Sequence, residues 1–342
     1  MYLVGFFSRF HGQIYLNFCG VRNINHIVLY HIKRFGTGFY AANLRFNLQP
    51  IAMTEKIKTP ATETHPPFKT LIAQLVQAYA PLQIYRFAKL TKKERANSVF
   101  STAQLQKQRT YYLLMITEGS EVIESEVEDF ADGAFAAGKV IVQVYGQATL
   151  LKHVNHRNGY FAAIINAGKL CYGAPGGAGV LTLLQPNPKN KLGRAIVHWR
   201  NRSQMADGFL LAAGKAIGQH QDHVGLFLLH QATEQACMGL IFVFMDHLPN
   251  LRNLDRLLYL CACFSPKPLA HFFGNAENEV LLDIMMKSVS RQRYQHDFSL
   301  DGRSIGQFME LVTGFLGLAK FLCKERFALS QRALAEAASG LK

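Results

Sequence analysis

Beyond Leu192 the chain stops alternating, and that one change limits the folds open to it. Apolar residues there recur three and four apart over long stretches, about 192–219, 223–246, 252–264, 277–293 and 303–327. Side chains at that spacing share one face of a helix, whereas a strand needs every second residue. A sheet cannot be built from this half. Short connections between such helices favour antiparallel neighbours, so the spacing predicts an all-α up-and-down bundle over 191–327, with 328–342 as a tail. The change of period falls in two turn-rich stretches, Gly173-Ala-Pro-Gly-Gly-Ala-Gly179 and Gln185-Pro-Asn-Pro-Lys-Asn190, which fit neither pattern. A linker is expected over 174–190.

Upstream, residues 66–173 mix both periods. Pro66 and Pro67 open a stretch from Phe68 to Ala80 with apolar residues at 68, 71, 72, 75, 76 and 79, a helix with Pro at its start. Short β-rich runs follow at Gln83–Leu90, Tyr111–Thr117 and Lys139–Tyr145, with an acidic helix, Glu121 to Ala137, between the last two. Leu150–Val154 and Tyr160–Ala167 read as helices, closed by the apolar run Lys169–Tyr172. Strands alternating with helices imply an α/β layer.

Residues 1–65 fit neither part. No Asp or Glu precedes Glu55, and aromatic, Arg and Asn residues follow one another without a period. The expectation is an unstructured leader, with Met53 as an alternative start.

Net charge is +14, spread as +5 over 1–54, +5 over 55–189 and +4 over 190–342, so no block is long enough for a nucleic-acid arm. A mild positive field suits a polyanion, though a solvated basic surface gives the same count. The six cysteines include no CxxC pair, and Cys261 and Cys263 lie two apart in a helical run, on different faces. Reduced, buried thiols in a cytoplasmic protein are expected. No apolar run approaches the ~18 residues that span a bilayer, so no membrane partner is expected.

Three segments of the helical half resemble one family. Leu229-His230-Gln231-Ala232-Thr233-Glu234-Gln235-Ala236 resembles the F-x-H-x-Q-A-x-E-x-A segment of HEPN domains, and Asn253-Leu254-Asp255-Arg256-Leu257-Leu258 their H-D-L-x-x-L-L segment with Asn for His. Ser290-Arg291-Gln292-Arg293-Tyr294-Gln295-His296-Asp297-Phe298 is similar to the terminal A-R-Y-x-x-D-F/Y. The resemblance implies a helical bundle that pairs as a homodimer and binds RNA or nucleotide. Many members are metal-independent ribonucleases with an R-x4–6-H motif, which Arg291 and His296 fit. A His can take the proton from a ribose 2′-hydroxyl while an Arg holds the phosphate as charge builds. Arg293, Tyr294, His230, Gln231 and Glu234 are further candidates for binding, with a purely structural role the alternative for each. Toxin members continue to a Tyr that a partner modifies; Phe298 stands there and has no hydroxyl.

The α/β half resembles the minimal nucleotidyltransferases often fused to such bundles. The resemblance places Ala88 and Lys89 at the family's Gly-Ser, Thr110 and Tyr112 at its D-x-D, and Gln143 at its third acid. None of these offers an anionic oxygen to a hard metal ion. Glu118, Glu121, Glu124, Glu126, Glu128 and Asp129 read as a solvated helical face. His220 and His223 with Asp222 lack a second cluster to complete a metal site. No metal and no cofactor is expected. Two functions follow: a catalytically dead nucleotidyltransferase-like domain and HEPN bundle that bind nucleotide, RNA or protein, or a toxin- or defence-related ribonuclease built on Arg291 and His296 across a homodimer.

Overall fold

A computed structural model describes residues 7–10, 13–16, 66–95, 105–119, 123–155, 158–175, 182–250, 253–291 and 304–339. The chain divides into two compact units, Met1–Thr54 and Glu55–Lys342. Within the stretch expected to be an unstructured leader, β1 (Phe7–Phe10) and β2 (Gln13–Leu16) pair as an antiparallel hairpin, Phe7 opposite Leu16.

The larger unit opens with α1 (Pro66–Tyr79), then the long ribbon of β3 (Gln83–Arg95) and β4 (Leu105–Thr117). Next come α2 (Glu124–Ala134), β5 (Gly138–Gly146), α3 (Gln147–Asn155), α4 (Gly159–Ala167) and β6 (Lys169–Gly173). The four strands form one mixed sheet in the order β5-β4-β3-β6, with β4 and β5 parallel and the other pairs antiparallel. Parallel neighbours need a crossover, and α2 supplies it.

Alternation along β4 sorts the core. Tyr111, Leu113 and Met115 face α1 and α2, where they meet Phe68, Leu71, Leu75, Val127 and Phe135. Leu114 and Ile116 face the other way onto Tyr160, Phe161, Ile164 and Ile165 of α4. Tyr112 and Ile141 belong to the core of the helical half. Because both faces of β4 and β5 are covered, their inner stretches, 111–116 and 140–145, are apolar but for Gln143.

The bundle comprises α5 (Pro188–Gly218), α6 (Asp222–Met245), α7 (Leu254–Cys261), α8 (Lys267–Phe273), α9 (Ala276–Arg291) and α10 (Ile305–Ser339). Asn187 caps α5 through its side-chain oxygen and Asn253 caps α7, each satisfying backbone N–H groups that a helix start leaves open. The expected tail is helical: α10 runs on through the Ala-rich end to Ser339, as residues of high helix propensity allow. By length and composition α6 and α10 could each cross a membrane, with mean hydropathy 1.3 apiece, which the absence of an unbroken apolar run did not reveal. In α6, 78% of the apolar window is buried, the mark of a core helix.

Candidate functional site

The parallel pair β4–β5 ends at Thr117 and Gly146, and β5 runs straight into α3. Open α/β sheets offer their crevice at this carboxyl end. Here it is a cleft of about 660 Å³, closed on the far side by α5 and the end of α6. Tyr145, Thr149 and His153 line the sheet side; Arg202, Phe242 and His247 line the bundle side.

The turn after α6 shapes the wall. Asp246 is left-handed (φ 57°, ψ 39°), ending the helix sharply. Its buried carboxylate accepts from the Gly159 amide at 3.2 Å and from Arg194 Nη2 at 2.8 Å, tying α4 and α5 to the turn. A side chain at Gly159 would begin 2.8 Å from Asp246 Oδ2, so the close approach requires glycine.

Behind the cleft runs a buried polar chain. The Tyr145 hydroxyl and the Gln143 carbonyl oxygen lie 3.0 and 3.3 Å from His247 Nε2. Gln143 donates from Nε2 to Glu124 Oε1 at 2.7 Å. Tyr160 stacks on His247 at 3.9 Å. Burial, then the charge of His153, pushes the His247 pKa down to about 3, so the ring is neutral at ordinary pH.

Glu124 and Glu128 overturn the expectation of a solvated acidic face: they are 1% and 0% exposed. They share the stripe of α2 that carries Val127 and Ala131, and that stripe turns inward. Glu118, Glu126 and Asp129 do face solvent. Burial and then the charge of Glu128 lift the Glu124 pKa to about 8, against the pull of Asn250 and Arg256. Burial lifts Glu128 to about 7, with Arg256 and the Val142 backbone pulling down. Arg256 Nε lies 2.9 Å from Glu128 Oε2, an ion pair by distance whose angle is not that of a hydrogen bond, and Nη2 reaches Asp129 and Asp132 at 3.2 and 3.4 Å.

The positions likened to a nucleotidyltransferase centre are occupied by other work. Tyr112 donates its hydroxyl to the Tyr259 carbonyl at 2.8 Å, joining β4 to α7. Gln143 is the middle of the polar chain. Ala88 pairs with Tyr112 across the ribbon, and Lys89 lies 5.4 Å from the Tyr111 ring. Among the described residues no group of three or more His, Cys, Asp or Glu side chains could hold a metal ion. His220 and His223 are exposed. None of the described cysteines is in a disulfide.

Of the bundle candidates, His230 and Glu234 are buried on α6, and Gln231 lies between them, 3.3 Å from His230 Nδ1 and 3.4 Å from Glu234 Oε2. Burial pushes the His230 pKa down to about 4. Arg291 is the last residue of α9; Arg293, Tyr294, His296 and Phe298 lie outside the described residues. Sequence reasoning missed His247, Tyr145, Asp246, Glu124, Glu128 and Arg256. The signal for the two glutamates was present in their spacing with Val127; nothing marked His247.

No family model matches the chain, and no curated protein does. Among solved structures the chain is similar to a nucleotidyltransferase-like protein from Exiguobacterium sibiricum 255-15, at 9% identity and a TM-score of 0.26, over 76% of this chain and 78% of that one. Likeness at this level says nothing of what the site does.

Proposed function

We propose that this chain is a non-catalytic nucleotide-binding module, a nucleotidyltransferase-like layer whose metal-ligand positions have changed, backed by a HEPN-like bundle. The cleft at the carboxyl end of β5 carries this reading. Its volume falls in the ordinary range for small-molecule sites, and its walls combine aromatic faces with a few fixed polar groups. Thr110, Tyr112 and Gln143 bring no negative charge for metal-dependent transfer, and the last two have structural bonds of their own. RNA, as a chain of nucleotides, and a second copy docking through the bundle belong to the same reading.

Calorimetric titration with ATP, GTP, UTP and the free nucleosides, in EDTA, tests it. At least one should bind without metal, and Thr149→Trp, which fills the cleft from α3, should abolish that binding while the fold is kept. If none binds at millimolar concentration, or Thr149→Trp binds as the parent does, the reading is wrong.

A further inference from the structure

One stripe of α5 carries Lys191, Arg194, His198 and Arg202, spaced so that all four lie on the same side of the helix. Its far end opens on the cleft: Arg202 lines it and bonds Gln235, while His198 stacks at 4.0 Å on Phe242 of the cleft wall. Its near end faces the turn at Asp246 and the later part of α10.

The near end is overloaded with positive charge. Lys191 is half-buried, and its pKa is lowered by burial; Asp246 attracts it, but Arg326 and Arg194 repel it. Asp246 is already bonded to Arg194 and to the Gly159 amide. Arg326 lies 5.6 Å over the Phe244 ring, and its buried Nε has no hydrogen-bond partner among the described residues. His198 Nε2 is orphaned in the same way. A buried polar atom without a partner costs about 1–3 kcal/mol, and such atoms are few in folded proteins unless an ion or ligand completes them.

We propose that Lys191, Arg194, His198 and Arg326 form a binding site for a phosphate-bearing polyanion, continuous with the cleft. The stripe from Lys191 to His198 is seven residues of helix rise, roughly 10 Å, longer than one phosphate and suited to a short row of them. Arginine and lysine supply charge-assisted bonds to phosphate oxygens, and bound anion would relieve the repulsion among the cations. The site deepens the nucleotide reading on which it rests: the cleft takes the nucleoside and α5 takes the phosphates.

Titrations with adenosine, ATP and sodium pyrophosphate, at low salt and in EDTA, separate the two. ATP should bind at least tenfold tighter than adenosine, and pyrophosphate alone should bind and compete with ATP. Lys191→Gln and Arg326→Gln should each weaken ATP and pyrophosphate about tenfold, the loss of roughly one charged hydrogen bond. Adenosine binding should not change. The melting temperature of the ligand-free variants should hold or rise, because a repelled cation has been removed; a structural role would lower it. Should a variant fold poorly, Lys191→Arg, which keeps the charge, must retain pyrophosphate binding. ATP binding no tighter than adenosine, or pyrophosphate binding untouched in both Gln variants, overturns the site. Pyrophosphate binding with no nucleotide or nucleoside binding keeps the site and removes the nucleotide reading. Adenosine binding without pyrophosphate does the reverse. A short single-stranded RNA that outcompetes ATP assigns the phosphates to RNA.

Discussion

Gln143 shows how a residue can be noticed for the wrong reason. Its place was marked by a missing acid, yet its neighbours Glu124 and Glu128 are acids that charge patterning had left on the surface. A count of charges ignores direction; the wheel of α2 puts both carboxylates beside Val127 and Ala131. This burial fixes a pH dependence. The Glu124 pKa is raised from 4.5 to about 8 in the fold, so the folded state holds a proton that the unfolded chain releases. Its cost to stability is absent below about pH 4.5, grows as pH rises, and levels off above about 8. Glu124→Gln, which can still accept from Gln143, should therefore melt several degrees above the parent at pH 8 and level with it near pH 4.5. Equal melting points at pH 8 would show that the carboxylate is not held neutral. Arg291 and His296 invite a second test. A binding module leaves single-stranded RNA intact in EDTA. If 2′,3′-cyclic phosphate ends appear and His296→Ala abolishes them, the ribonuclease alternative is established instead.

Among the elements, legibility followed burial. The helices of the bundle other than α8 were readable because each buries an apolar face, α6 nearly all round, and the inner halves of β4 and β5 because they bury both. The outer halves of β3 and β4, Lys92 to Arg95 paired with Leu105 to Gln108, are largely polar and gave no strand signal. Their ladder extends the paired inner halves without a period of its own. The short α8 went unread; it starts between Pro266 and Pro268, and Pro is tolerated in a first helical turn, where no bond is lost. Close packing of α5 on α6 depended on a residue that no period reveals. A Cβ at Gly239 would sit 2.8 and 2.9 Å from the Trp199 ring. Gly239→Ala should destabilise by about 1–3 kcal/mol through overpacking. Trp199 is the only tryptophan, so its emission should shift with the loss; an unchanged midpoint in urea would mean the two helices can slide apart at no cost.

At the scale of the larger unit, sheet and bundle share a core and are bolted at α7. Tyr112 reaches the Tyr259 carbonyl, Lys139 pairs with Asp255 at 2.6 Å, and Arg256 enters the acidic pocket of α2. The sequence separated these halves at a Gly- and Pro-rich stretch, since contacts between distant segments leave no local mark. Arg256→Met tests the bolt. Without the guanidinium, the Glu128 pKa, already about 7, climbs further above its unfolded 4.5. Ionising it then costs more, so the loss of stability should be small at pH 5 and greatest above pH 7. A pH-independent loss would assign Arg256 to packing alone. Sheet and bundle should also unfold in one transition, by circular dichroism and by Trp199 emission alike; two separated midpoints would show that the halves melt independently.

The amide of Gln143 can act as a messenger. When Glu124 is ionised it can only accept, so Gln143 offers its NH₂ to Glu124 and its carbonyl to His247, which must carry its hydrogen on Nε2. When Glu124 is protonated, its O–H can donate to the carbonyl, the amide can turn round, and NH₂ then faces an imidazole whose hydrogen has moved to Nδ1. Tyr145, able to give or take a hydrogen bond, follows either arrangement. One bit, the presence of a proton at a carboxylate sealed from water, would thus be written on the wall of the cleft as the tautomer of His247. A ligand that reads that ring would in turn set the proton affinity of a glutamate it never touches.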